Sequence, residues 1–406
     1  MEHSTVKEKV MKDNISLHVL EDKCCGCGAC FQICPLEAIK MKEDEHGFRM
    51  PIVDSALCVG CGLCMKSCPI IHSEEERHSP IKSYAATNLL SEKSFLCSSG
   101  GIFSALAEYV INNGGVVCGA AFDNELKLQH VMVDNLEDLE KLKKSKYLQS
   151  NTDKIYKKVK KSLSEGKTVL FSGTPCQVKA LYTFLGESKT DRLLTIDVVC
   201  HGVPSQMLFD DYIDDFQRKN GKIENSTFRA KRKAKNGMKW FFSFTIKEKN
   251  HFRNWPEDSY NYYYMMGKIY RDSCYSCPFA SINRVSDITL CDYWSWEKYH
   301  GNDFDLMECV SGILINTSAG ALIFENIRDS IVCVHTKLED IVRHNGCLDM
   351  PTNKPADRDR ILSDWKEKGY CYIDALFRKT HRIQRVKYAL LRMLPDGFLE
   401  RLLRLK

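Results

Sequence analysis

Beyond residue 80 the chain alternates short apolar runs with stretches of helical spacing, the texture of strands and helices laid down in turn. Ile102, Phe103, Leu106, Val110 and Ile111 recur at helical intervals behind Ser98-Ser99-Gly100-Gly101, and Gly114-Gly115 ends that helix. Val116 to Phe122 is a continuous apolar run and predicts a buried strand. A second strand is predicted from Lys167 to Phe171, passing through Ser172-Gly173-Thr174-Pro175-Cys176-Gln177 into a helix from Val178 to Leu185. A third, Leu193 to Val199, runs into Cys200-His201-Gly202-Val203-Pro204-Ser205. Asn283 to Trp294 reads as a turn, a strand and an aromatic end, and Phe228 to Phe244 as a hairpin. In parallel α/β sheets ligands collect beyond the carboxyl ends of strands, so Cys176 and Cys200 are candidates to face one site.

The segment before residue 80 is different. Residues 1–20 are polar, 21–72 are crowded with cysteine, and the charged stretch from Ser73 to Pro80 reads as a linker. The expected class is α+β: a small ferredoxin-like domain over 21–72, then a larger α/β domain in two parts, 81–165 and 166–340, and an extension over 341–406.

The cysteine-rich part repeats one ligand pattern. Cys24, Cys27, Cys30 and Cys34 precede Pro35, and Cys58, Cys61, Cys64 and Cys68 precede Pro69. Each is C-x2-C-x2-C-x3-C-P, the run that holds a [4Fe-4S] cluster, with its fourth cysteine serving the other cluster. Cys24, Cys27, Cys30 and Cys68 are therefore assigned to one cluster, and Cys58, Cys61, Cys64 and Cys34 to the second. Cys25 is an extra thiol, since moving the first ligand by one would break the spacing that Cys58 repeats. Zinc sites use paired C-x2-C steps, and a disulfide scaffold requires an exported chain.

Composition narrows the setting. Twenty cysteines in 406 residues, without a secretory signal or an apolar run of membrane-spanning length, point to a reducing cytoplasm. Cys118, Cys309 and Cys333 stand in apolar surroundings and are expected to be buried small hydrophobes. The net charge is +5, but from Leu376 onward nine basic residues face two acidic ones. That tail is amphipathic from Leu390 to Leu405, which fits either a helix packed on its own domain or peripheral contact with an anionic membrane or a partner. No nucleic-acid-binding motif accompanies the charge.

Further chemistry is scattered. Cys274 and Cys277, before Pro278, form half of a cluster run; Cys176 and Cys200 are the natural thiols to complete four, with Cys291 as the rival. Zinc also suits four thiolates, and a redox dithiol needs only Cys274 and Cys277. The Ser98–Gly101 turn opens a helix, a place for an anion or simply a cap. Arg229, Lys231, Arg232, Lys233, Lys235 and Lys239 beside Trp240 and Phe241 suit an anionic planar cofactor or a solvated hairpin. His201 is a proton donor or a structural hydrogen-bonding group.

Ser98-Ser99-Gly100-Gly101, Lys146-Tyr147-Leu148-Gln149-Ser150, Gly173-Thr174-Pro175-Cys176-Gln177, Cys200-His201-Gly202, Cys274-x2-Cys277 and Ser286-Asp287-Ile288-Thr289 resemble, in that order, the coenzyme F420 hydrogenase/dehydrogenase beta-subunit family. The resemblance implies an iron-sulfur flavoprotein with FAD in the larger domain. It implies that Ser98, Ser99, Gly100 and Gly101 lie at the flavin phosphates, that Tyr147, Gln149, Thr174 and Gln177 line the flavin pocket, and that Cys176, Cys200, Cys274 and Cys277 hold a third [4Fe-4S] cluster. Relatives commonly carry glycine where this chain has Cys291, which speaks against that thiol as a ligand. A hydride donor gives two electrons together and a cluster accepts one, so a flavin is the expected converter. The expected function is oxidoreduction of an organic substrate or deazaflavin-like coenzyme, with an external electron carrier such as ferredoxin or a partner oxidoreductase subunit. The alternative is a non-catalytic electron-transfer subunit docked on a partner enzyme, in a setting such as surface-polysaccharide biosynthesis.

Overall fold

The computed structural model describes residues 22–386, apart from 235, 236 and 306. In the amino-terminal module, β1 (Ile39–Glu43) and β2 (Arg49–Val53) pair antiparallel beside two short helices, Ala29–Ile33 and Leu63–Lys66. The two cysteine runs repeat in conformation as well as in sequence. Gly26 and Gly60 have φ of 64° and 70°, and Gly28 and Gly62 of 72° and 74°, so both runs pass through the left-handed region at the same two places before their helices.

The rest of the chain is built on a mixed sheet. Its strands are β3 (Lys82–Asn88), β4 (Val116–Phe122), β5 (Leu128–Val133), β6 (Val169–Gly173) and β7 (Leu193–Val198), then, after a separate meander of β8 (Asn225–Ala234), β9 (Gly237–Ile246) and β10 (Lys249–Arg253), come β11 (Ile288–Asp292), β12 (Ser311–Ile315) and β13 (Ile331–His335). Among the described residues the order is β13-β3-β12-β11-β7-β6-β4-β5. The central β4, β6, β7 and β11 run parallel, and Val169, Leu170 and Phe171 of β6 are buried, as strands covered on both faces must be.

The predicted strand Val116–Phe122 appears with those bounds. The helix after β6 starts at Pro175 rather than Val178, because Thr174 and Gln177 form a capping box and Pro175 occupies the first turn, where its missing N–H costs nothing. The Phe228–Phe244 hairpin also forms; among its described basic residues Arg232 and Lys239 are exposed, but Arg229 and Lys231 are not. Strand alternation puts Phe228, with Phe242 and Phe244 of β9, into an aromatic core with Phe209 and Tyr212, and turns buried Arg229 and Lys231 the other way. Tyr370, Ile373 and Phe377 of the helix Tyr370–Thr380 close the same core, so this part of the extension is packed.

The 73–80 stretch is no free linker. Arg77 donates to Pro278 O at 2.9 Å, His78 N to Arg284 O at 2.8 Å, and Lys179 Nζ reaches Glu75 O at 2.6 Å. The polar segment 1–20 and the amphipathic stretch from Leu390 to Leu405 lie outside the described residues. Among the described residues no helix is long and apolar enough to cross a membrane.

Candidate redox site

The side chains bring cysteines of the two runs together. Cys30 lies in the electrostatic field of Cys24 of its own run and of Cys68 and Cys64 of the other, and Cys27 in that of Cys30 and Cys68. Cys34 instead lines a cavity of about 440 Å³ with Cys58, Cys61 and Cys64. Burial sets the two apart: Cys27 is buried, whereas Cys61 is exposed, rimmed by Leu36, Val59 and Leu63, of which Val59 is 64% exposed.

An opening of about 760 Å³ lies where the carboxyl ends of β6 and β7 meet the module. Gly173 of β6 pairs with Asp197 of β7, so Cys176 and Cys200 each stand three residues past one matched pair and both line the cavity. Cys274 arrives on the short helix Asp272–Ser276, where its N–H bonds to Arg271 O, and Cys277 follows as the extended residue that ends the helix. These four thiols feel one another: Cys200 is in the field of Cys274, Cys176 and Cys277. Burial, then crowding by neighbouring thiols, pushes Cys274 up to about 12 and Cys277 up to about 11. Ionising one beside the others is opposed until a cation shares the charge, the chemistry of a thiolate metal site. Among the described residues no group of three or more histidine, cysteine, aspartate or glutamate side chains is drawn together as one metal ion requires; the four thiols share the lining of one cavity. Cys291 does not line it; its thiol faces Gly312 O across β11 and β12.

Buried side chains fasten this cavity to the first outer set. Arg271 is 3% exposed and donates to Cys24 O at 3.2 Å, to Arg49 O at 3.1 Å and to Gln149 Oε1 at 3.0 Å. Gln149 Nε2 in turn donates to Cys25 O at 2.7 Å, and Thr152 Oγ1 to Cys27 O at 2.6 Å. A side chain at Gly26 would strike Arg271 at 2.6 Å, so the cluster loop and the clamp fit only with glycine there. Behind the cavity, Arg284 ties Asp197 of β7 at 2.9 Å to Phe279 O and Ser281 O, which holds the loop after Cys277 against the strand before Cys200. Asp287 accepts from Thr195 N and Oγ1, both at 2.8 Å, and from Thr317 Oγ1 at 2.6 Å, so it braces β7 against β11 and β12.

The residues expected at a flavin fall in two places. Gln149, Thr174 and Gln177 line the cysteine cavity, where Thr174 and Gln177 also cap the 175–185 helix and Thr174 Oγ1 lies 3.1 Å from Cys176 Sγ. Ser98, Ser99, Gly100 and Gly101 form the turn before the helix Ile102–Asn112. Part of this turn is already bonded: Gly100 N donates to Ser311 Oγ, Ser98 Oγ accepts from Ser145 N, and Ser98 O and Ser99 O accept from Trp240 Nε1 and Lys231 Nζ. Beside it Arg229 pairs with Asp292 at 2.5 Å between the rings of Trp240 and Trp294, and its buried Nη2 finds no hydrogen-bond partner among the described residues. Tyr147, stacked on Tyr264 at 4.2 Å and in the field of Arg229, joins the two places along the chain through Leu148.

His201 lines the cysteine cavity, and its Nδ1 lies 3.5 Å from the Cys347 thiol. That contact raises the imidazole pKa; burial pushes Cys347 up, but the imidazole brings it below the ordinary thiol value. Sequence reasoning missed Cys347, Arg271, Gln149 as a clamp, and Arg284. Cys347 has no spacing partner in sequence, whereas Arg271, three residues before Cys274, was the one with a positional signal. Cys118 and Cys309 are buried as expected, and Cys333 is half-buried against Arg328.

Residues 23–70 match the family model described as 4Fe-4S dicluster domain, and residues 166–341 match the one for the C terminus of the coenzyme F420 hydrogenase/dehydrogenase beta subunit. The chain joins these two domains. It is thus an iron-sulfur electron-transfer protein of the oxidoreductase class, related to F420 hydrogenase beta subunits. The second of these matches takes in Cys176, Cys200, Cys274 and Cys277 and stops before Cys347. Among curated proteins nothing matches. Among solved structures, a chain from the xenon-derivatised F420-reducing [NiFe] hydrogenase complex of Methanosarcina barkeri is 16% identical with a TM-score of 0.44, over 74% of this chain and 94% of that one.

Proposed function

We propose that the chain relays single electrons between two outer [4Fe-4S] clusters, a third inner cluster and an FAD that exchanges two electrons with an organic substrate or a deazaflavin-like coenzyme. Cys24, Cys27, Cys30 and Cys68 hold the first outer cluster, Cys58, Cys61, Cys64 and Cys34 the second, and Cys176, Cys200, Cys274 and Cys277 the inner one. The observation that carries this reading is the convergence of those four inner thiols on one cavity, beside the first outer loop. FAD supplies the conversion between paired and single electrons. Ser98, Ser99, Gly100 and Gly101 would take its phosphates, with Arg229 and Lys231 as counter-charges, and Tyr147, Gln149, Thr174 and Gln177 would line the way to the inner cavity. His201 is placed to hold a proton at its ring nitrogen on the cavity wall. An external carrier, ferredoxin or a partner oxidoreductase subunit, would meet the second outer cluster, where exposed Cys61 sits among apolar side chains.

Anaerobic purification tests the reading. The relay predicts about twelve irons per chain and extractable FAD; two clusters alone give about eight. A colourless, flavin-free protein would overturn it. A chain with iron but no flavin, still reducible by ferredoxin, would favour instead the electron-transfer subunit that turns over no small molecule.

A further inference from the structure

A second group of side chains stands at the same sheet edge as the cysteine cavity without lining it. β11 runs parallel to β7, so its last residue, Asp292, and Trp294 just beyond lie at the edge where β6 and β7 deliver Cys176 and Cys200. Ser311, the register partner of Asp292 on β12, accepts from Gly100 N at 2.9 Å, which brings the Ser98–Gly101 turn and the start of the helix Ile102–Asn112 to this edge. β8 and β9 reach the same turn: Lys231 Nζ lies 2.7 Å from Ser99 O, and Trp240 Nε1 3.2 Å from Ser98 O. Arg229 shares the Lys231 face of β8, with its guanidinium 5.2 Å from the Trp240 ring centre and 5.6 Å from that of Trp294.

The fold leaves three features of this group without a use. Arg229 is 8% exposed, and beyond its pair with Asp292 its buried Nη2 has no partner among the described residues. A buried donor in that condition is destabilising until something supplies an acceptor. Trp294 stays 42% exposed, and Ser295 after it holds a φ of 60°, a conformation rare outside glycine.

We infer, resting on the FAD reading above, that Trp294 and Trp240 carry the adenine ring of FAD and that Arg229 Nη2 donates to the adjoining phosphate, so that this group selects FAD over FMN. With the phosphates at the Ser98–Gly101 turn, the isoalloxazine belongs on the side of the inner cavity, beside the thiols it serves. Neither indole lines that cavity. The other end of the molecule is then left to the indoles, one of which bonds the turn itself. An indole offers a purine a flat apolar face, and a base stacks on it whatever its edge carries. FMN ends at a single phosphate and has nothing to place there.

The test uses the full chain stripped of flavin and titrated anaerobically with FAD and FMN, followed by flavin fluorescence, and with ADP, followed by calorimetry. The wild type should bind FAD more tightly than FMN, and should bind ADP. Trp294→Ala should weaken FAD and ADP about tenfold and leave FMN near wild type, whereas Trp294→Phe, which keeps a ring, should bind FAD within about threefold of wild type. An FAD affinity unmoved in Trp294→Ala overturns the inference. So does an equal loss of FAD and FMN, which would put the flavin ring on the indole. If Trp294→Ala fails to fold, ADP decides: binding by wild type and Trp294→Phe supports the site, and a wild-type chain that binds no ADP overturns it. A chain that takes no flavin yet binds ADP through Trp294 fails the FAD reading and keeps the nucleotide site.

Discussion

The second outer site and the inner cavity both gather four thiols, but from different ranges of chain. Cys34, Cys58, Cys61 and Cys64 come from two neighbouring turns of one small module, and their cavity opens to the surface. Cys176, Cys200, Cys274 and Cys277 come from two strand ends and a distant short helix, brought together by the register of β6 on β7 and by the Arg284 and Arg271 ties. The outer site is a local property of a repeated loop, whereas the inner one is a property of the sheet. Damage to the sheet should therefore empty the inner site first.

The most severe test removes a ligand. Cys274→Ala should cost about a third of the iron, roughly four of twelve, and leave the outer clusters' signals in place; an unchanged iron count would remove the inner cluster from the account. Next comes the strut behind the cavity. Arg284 and Asp197 are almost fully buried, so Arg284→Met leaves the carboxylate uncompensated and should destabilise the larger domain by roughly 3–5 kcal/mol in a denaturant titration. Inner iron should fall with it while outer iron persists; simultaneous loss of both would erase the contrast between the sites.

Acid should also strike the inner side. Burial pushes His130 down to about 4, although it bonds to Ser172 O and contacts Ser150 Oγ on the cavity side of the sheet. The unfolded chain takes up that proton near the usual histidine value and the folded one does not, so stability is full above about pH 6.5 and falls between there and about pH 4. The expected loss is about 3 kcal/mol, and His130→Gln should flatten the dependence of Tm on pH in that window.

The smallest contrast lies between glycines of the two runs. Gly26→Ala must both hold a left-handed φ and displace the Arg271 clamp, whereas Gly62→Ala meets nothing within 4 Å and carries the backbone strain alone. Thermal unfolding should show a loss of about 1 kcal/mol for Gly62→Ala and roughly 2–3 kcal/mol for Gly26→Ala. Equal losses would mean that Arg271 does not couple the module to the inner cavity.

Much of the plan was legible in the residues. Apolar runs marked β4 and β7 to within a residue, because strands buried on both faces read as mainly apolar, the two polar residues of β7, Thr195 and Asp197, being paired inside. The basic hairpin was half legible: Arg232 and Lys239 are exposed as a solvated face requires, yet alternation buried Arg229 between Trp240 of the same hairpin and Asp292 and Trp294, which lie far off in sequence. The stretch around Arg77 looked like a linker for a similar reason, since its partners Pro278 and Arg284 are two hundred residues away.

By itself the sequence determined that residues 23–70 carry a two-cluster module, because ligand spacing within a loop is a local geometric demand. It also placed Cys176 and Cys200 at strand ends. Tertiary structure alone decided that Cys274 and Cys277 meet them, that Cys291 does not, that Gln149 and Arg271 clamp a cluster loop, and that Cys25 turns inward. Those are pairings between distant segments, set by sheet register and by the burial of a few charged side chains, and no spacing along the chain encodes them.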